Sequence, residues 1–166
     1  MPAKRAAFSL RLINQIPAMV AFWDTGQKCR FANAAYREWF GRTTEEMDGI
    51  SLQELLGPLY KKNLPHIRAA LQGRKQVFER RITLPTGEIR ETVATYVPER
   101  LDGIVQGFLV HVSDVTPLRQ RAAALEENIQ ETIRILEKTK GSFRSKELGA
   151  LRQHLARLSR SEAAET

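Results

Sequence analysis

The side chains able to do chemistry in this sequence are few and scattered. Cys29 is the single cysteine of the 166-residue chain, so it has no internal disulfide partner and no second thiolate for a zinc site. His66, His111 and His154 are the only histidines, and their separation along the chain argues against a shared metal. Glu45 and Glu46 are adjacent, and neighbours on a helix point in different directions, so they do not form an acid–base couple. There is no Gly-rich phosphate loop, no Gly-x-Ser-x-Gly elbow and no His-Glu-x-x-His motif. What remains is a recognition set: His66, Arg80 and Tyr96, with the apolar Phe78, Phe108 and Val110. Arg80 or Tyr96 can orient a polar ligand within an apolar pocket. These residues are the candidate ligand-binding site, and the chain is expected to be no enzyme.

The elements that position them follow from periodicity. Phe8 to Ile16 carries apolar residues at helical spacing and stops at Pro17, giving a leading helix within 1–17. Met19–Trp23 and Cys29–Ala32 flank Asp24-Thr25-Gly26 and predict a hairpin, with Gly26 supplying the turn. Asn33 is placed to cap a two-turn helix ending at Gly41; Thr43 or Thr44 opens a further turn, and Ser51 starts another. A longer helix runs from Gly57-Pro58 to Gly73, kinked or restarted by Pro65.

The period then shifts towards two. Gln76–Leu84, Ile89–Val97 and Ile104–Val112 predict three strands, separated by turns at Pro85–Glu88 and Pro98–Gly103. In the last strand Phe108, Val110 and Val112 share one face, taken as inward; Phe78, Arg80 and Ile82 share a face, as do Thr92, Ala94 and Tyr96. The order of elements predicts an α+β fold, a five-stranded antiparallel sheet covered by short helices, with residues 18–115 as the core.

Beyond it, Thr116 suits an N-cap and Pro117 the first helical position. Leu118, Ala122, Leu125, Ile129, Thr132 and Leu136 are spaced by fours and threes, a coiled-coil seam over 116–140 with one polar interruption. Gly141-Ser142 breaks the run, and Leu148, Leu151, Leu155 and Leu158 mark an amphipathic helix within 141–166. Exposed leucines on such a seam call for a partner, either a second subunit or the sheet's outer face, which predicts a homodimer, with a downstream regulatory protein docked on the C-terminal helices as a further partner.

The net charge of +7 would suit an anionic partner, but the basic residues are interspersed with glutamates and no groove-reading motif accompanies them, which argues against nucleic acid. No apolar run approaches the roughly 20 residues that span a bilayer, and the N-terminus lacks a continuous apolar signal core. A membrane location is therefore not expected, and the lone cysteine fits a reducing, cytoplasmic setting.

The joints between elements resemble the PAS family. The matching residues are Phe31-Ala32-Asn33-Ala34-Ala35, Phe40-Gly41 with Thr44-Glu45-Glu46-Met47 and Gly49, Leu84-Pro85-Thr86-Gly87, and Ser113-Asp114-Val115-Thr116, spread over about residues 8–117. The resemblance implies a PAS fold and a sensor that passes a change in its core to the attached helix, with Asp114 and Thr116 joining strand to tail. It leaves the ligand open among haem, flavin, small carboxylates or none, and the cofactor expectation is at most haem or a small organic ligand. Ser51-Leu52-Gln53-Glu54-Leu55 lacks the reactive cysteine of light-oxygen-voltage members, and Cys29-Arg30-Phe31 lies in a strand. A haem histidine would fall near Lys62, one turn before His66. Ser145-Lys146-Glu147-Leu148 lacks a kinase phospho-acceptor histidine. The expectation is a dimeric signalling module without an assured cofactor. Its alternatives are a ligand-free interaction adaptor and, on His66, a haem gas sensor; transcription regulation is the expected readout.

Overall fold

The computed structural model describes residues 2–138, 149–151, 153–155 and 157. The chain divides into two compact units, Met1–Thr116 and Pro117–Thr166.

The first unit contains α1 (Pro2–Ile13), β1 (Met19–Asp24), β2 (Cys29–Ala32), α2 (Ala35–Phe40), α3 (Thr44–Met47), α4 (Leu52–Leu56), α5 (Leu59–Leu71), β3 (Gln76–Thr83), β4 (Ile89–Leu101) and β5 (Ile104–Asp114). The strands form one antiparallel sheet in the order β2-β1-β5-β4-β3, so the last strand lies at its centre. The fold is α+β, as its element order predicts.

Alternation sets the faces. Met19, Ala21 and Trp23 of β1, Ala94 and Tyr96 of β4, and Phe108, Val110 and Val112 of β5 are buried on one side of the sheet. Tyr36, Trp39, Met47, Leu52, Leu56 and Ile67 from the helices close over them. Each such side chain contributes about 1.5–3 kcal/mol on burial, which is why brief helices with little intrinsic stability persist here. The outer edge of β2 is not left open: Cys29 N–H donates to Ile50 O at 3.0 Å, and Gly49 N–H donates to Cys29 O at 2.9 Å.

Several local expectations are corrected. Asn33 does not cap α2; the cap position is Ala34, without a side-chain bond. The Asn33 amide is instead fully buried, accepting from Val20 N–H at 3.0 Å and donating to Ala18 O at 2.9 Å and Ile13 O at 3.2 Å. A buried amide that satisfies three backbone groups stabilises more than an exposed cap would. In the β1–β2 turn the left-handed residue is Gln27 (φ 60°), not Gly26. Asp24 stabilises that conformation, its backbone C=O accepting from Gln27 N–H and its carboxylate from Lys28 N–H.

Pro65 neither ends nor restarts α5, which runs from Leu59 to Leu71 through it. Tertiary burial of Ile67, Ala69 and Ala70 offsets the lost helical hydrogen bond. β4 likewise passes through Pro98, opposite Phe108 and next to a bulge at Glu99/Arg100. The reversal falls later, at Asp102 (φ 50°) and Gly103 (φ 80°), an Asp-Gly hairpin turn between the paired Leu101 and Ile104.

In the second unit α6 spans Thr116–Lys138, its first residue belonging to the sheet unit. It buries no residue, and the seam positions Leu118 and Leu125 are 66% and 60% exposed while Ile129 and Leu136 are partly covered. Thr132 returns its hydroxyl to Asn128 O at 2.8 Å, which lets a polar residue sit in the seam without an unmet donor. Residues 149–151, 153–155 and 157 are helical; the break at Gly141-Ser142, the Ser145–Leu148 stretch and Leu158 lie outside the described residues.

Candidate functional site: a cleft between α5 and β3

Between α5 and the β3 edge of the sheet lies a cavity of about 330 Å³, bordered by Leu59, Lys62, Asn63 and His66 of the helix and by Phe78, Glu79, Arg80 and Arg81 of the strand. Positions 59, 62, 63 and 66 recur at helical spacing, so the helix presents one face to the cleft, whereas the edge strand contributes residues of both pleats.

Its wall is aromatic. The His66 ring stacks on Phe78 at 3.8 Å with 4° between planes, and its Nδ1 lies 3.1 Å from Gln76 Oε1. Phe78 meets Tyr96 edge-on at 5.1 Å, and Tyr96 meets Phe108 at 5.1 Å, so a continuous ring chain runs from the cleft into the core.

Its polar groups are incompletely paired. Four buried side-chain donors among the described residues lack a partner. Trp23 Nε1, beside the Tyr36 hydroxyl, and Trp39 Nε1 are indole donors within the packed core. The other two, Asn63 Nδ2 and Arg80 Nε, belong to residues that border the cleft, and Asn63 is only 3% exposed. Leaving such donors dry costs roughly 1–3 kcal/mol each, more for a charged group, and a ligand acceptor removes that cost. The Arg80 guanidinium donates to the Tyr96 hydroxyl at a long 3.4 Å and lies 5.8 Å from the Phe78 ring. Burial raises the pKa of the Tyr96 phenol, which Arg80 only partly counters, and burial likewise raises that of Tyr36. Both phenols are neutral at physiological pH and supply no counter-charge.

The structure therefore brings together His66, Phe78 and Arg80 of the residues singled out in the sequence, with Tyr96 directly behind them. Phe108 and Val110 are buried in the core and border neither this cleft nor the second cavity, of about 270 Å³, between α1, β2 and α3. Asn63 is the residue the sequence reading missed. An asparagine on the buried face of a helix, in phase with Ile67 and Ala70, is the signal that could have found it. A haem does not fit: a cavity of about 330 Å³ is at the small end for ligand pockets, and the His66 ring lies flat against Phe78 as part of its wall. Cys29 is buried, and desolvation pushes its thiol up to about 11, so it is an inert core thiol.

At the other end of the central strand, Asp114 accepts from Thr116 N–H at 2.8 Å, and Val115 N–H donates to Glu91 O at 2.9 Å. The Thr116 hydroxyl, expected to cap α6, accepts from Glu91 N–H at 2.8 Å instead and so fastens the exit to β4. Arg90 ties this corner to α2: it contacts Glu38 at 2.7 Å and Asp114 at 3.5 Å, and lies 5.0 Å over the Trp39 ring.

An antiparallel sheet with its last strand central, short helices over one face and a pocket under the longest of them defines the class as a single-sheet α+β domain. The PAS fold family model matches residues 13–120, and the chain belongs to that family. No curated protein matches the sequence. Among solved structures it is similar to Vibrio cholerae VqmA in a complex with ligand and DNA, at 22% identity and TM-score 0.60 over 66% of this chain and 51% of that one. It is also similar to a phage VqmA–DPO complex (16%, 0.60, 93% and 78%) and to a PAS domain from Colwellia psychrerythraea (19%, 0.55, 70% and 99%). The chain spans about half the length of the Vibrio cholerae VqmA chains it matches.

Proposed function

We propose that this chain is a cytoplasmic sensory module, without catalytic activity of its own, that holds a small molecule in the α5–β3 cleft. Occupancy is passed along β4 and β5 to the Asp114–Thr116 corner and from there to α6. The observation that carries this reading is a cavity with an aromatic wall bordered by Asn63 and Arg80, each of which holds a buried donor without a partner. A fold that needed only stability would have filled that space. Among the described residues no helix is long and apolar enough to cross a membrane.

The exposed Leu118 and Leu125, with Ile129 and Leu136 on the same stripe, support pairing of α6 with a second copy, and a downstream regulatory protein would read the paired helices. A homodimeric transcription regulator accords with VqmA, described as a dimer and a LuxR-type receptor. The mixed charge pattern speaks against direct nucleic-acid contact by this chain, while similarity to a DNA-bound VqmA and to an RNA-binding light-oxygen-voltage receptor speaks for testing it.

Native mass spectrometry of freshly purified protein tests ligand and oligomer together. The expected result is a dimer carrying a small molecule that denaturation releases. A bare chain that also stays monomeric at tens of micromolar in light scattering overturns the reading. Binding of duplex DNA by the isolated chain with a steep salt dependence would overturn the exclusion of nucleic acid.

A further inference from the structure

α1 takes little part in the packing of the unit it belongs to. Its side chains from Ala7 to Leu12 are all exposed, and Ile13 is only half-buried. Two hydrogen bonds at its C-terminal end tie it to the β2–α2 junction: Asn14 Oδ1 accepts from Ala34 N–H at 2.9 Å, and Ile13 O accepts from the Asn33 amide at 3.2 Å. Beneath it, Leu10 and Asn14 border the cavity of about 270 Å³ shared with β2 and α3. Residues two apart on a helix lie roughly opposite one another, so Phe8 and Leu12 point away from that cavity. They are 54% and 48% exposed. Lys4, Arg5, Arg11 and Leu12 stand three or four positions from Phe8 on either side, which makes them its neighbours on the helix surface. The Arg11 guanidinium lies 5.8 Å from the centre of the Phe8 ring. Among the described residues none of these three cations is in an ion pair, and the first acidic residue of the chain is Asp24.

A helix of 12 residues is marginal by itself, so this face calls for a partner that accepts both the apolar side chains and the cations around them. A second copy of α1 would bring three more cations to the paired rings and no carboxylate to meet them. A nucleic-acid backbone rewards the cations and leaves the phenyl ring and the leucine idle. An anionic bilayer surface takes all of them: apolar side chains enter the acyl boundary, while long cationic ones reach up to the phosphates. We propose that α1 is an interfacial anchor, lying in the plane of an anionic lipid surface with Phe8 and Leu12 inserted and Lys4, Arg5 and Arg11 on the headgroups. Such attachment is peripheral and needs no spanning helix, and it replaces the expectation of a chain without membrane contact. It is independent of what the α5–β3 cleft holds.

The test is co-sedimentation of the full chain with vesicles of phosphatidylcholine alone and of phosphatidylcholine and phosphatidylglycerol in equal parts. Binding is expected to be about a hundredfold tighter on the anionic vesicles, from roughly fivefold per cation at such a surface, and to weaken as salt is raised. Phe8→Trp should bind as well as the parent chain and add an emission component that moves to the blue on anionic vesicles. Phe8→Ser combined with Leu12→Ser should weaken binding at least about tenfold while the melting temperature holds, because neither side chain is buried in the domain. Arg5→Gln combined with Arg11→Gln should cut the preference for anionic lipid about twenty-five-fold. Equal binding to both kinds of vesicle, binding to neither, or undiminished binding of the double serine variant overturns the proposal. A dimer in light scattering that the double serine variant dissociates without lipid also overturns it, and assigns the face to a second copy. Binding of duplex DNA that the arginine variant loses, with none to vesicles, assigns the cations to nucleic acid instead.

Discussion

Under α2, α3 and α4 the inner face of the sheet is filled by Trp23, Trp39, Met47, Leu52 and Leu56, all nearly or wholly buried. Under α5 the same sheet carries Phe78 and Arg80, half-covered, at a cavity whose bordering residues hold two unmet donors. One sheet thus serves two ends. Apolar side chains of matching volume close the first and lend stability; the second holds two buried donors without a partner, which give up some of it.

The largest expected effect breaks or upholds that contrast. Trp39→Ala should cost about 3–5 kcal/mol in chemical denaturation, whereas Phe78→Ala should cost about half as much and remove ligand retention. Equal stability losses at the two positions would mean that the cleft is ordinary core. A smaller effect is expected at the exit corner, where Thr116→Val removes the acceptor for Glu91 N–H and should cost about 1–2 kcal/mol. Hydrogen exchange at the Glu91 amide checks it, since the amide should lose protection while that of Tyr96 keeps it.

Asn63→Leu sharpens the comparison further. It replaces an unsatisfied buried amide with an apolar group of similar size, so thermal stability should hold or rise by up to about 1 kcal/mol while ligand binding disappears. A loss beyond about 2 kcal/mol would show that the amide serves the fold. The smallest effect concerns acid. Burial alone would raise the Asp24 pKa, but hydrogen bonds from Lys28 N–H and Arg30, and the Arg30 charge, hold it below 3.8. A depressed folded-state pKa gives stability that is present above 3.8 and is lost as pH falls through the folded value. Asp24→Asn should therefore flatten the stability profile slightly on the acid side of about pH 4, as followed by circular dichroism.

Much of this molecule is legible in residue order. Alternation along Phe108–Val112 assigns the faces of β5, the apolar run Met19–Trp23 announces β1 without saying which face is inward, and the capping box of Thr43 with Glu46 starts α3 where a threonine suggests it. These are local rules, each decided within a few residues. The same rules put Arg80 and Phe78 on one pleat of β3 and His66 on the long helix. Local rules misplace Asn33, because its amide bonds to backbone up to 20 residues away. They end β4 too early, because pairing with β5 carries the strand across Pro98. They also pass over Asn63, whose role depends on what stands opposite.

By itself the sequence determined the kinds of element, their order and the inward-facing residues, since periodicity and turn chemistry act over one or two turns of chain. Tertiary structure alone decided which polar groups go unpaired: whether Asn63 and Arg80 meet a partner depends on how α5 crosses β3, and the sum of long-range packing fixes that crossing.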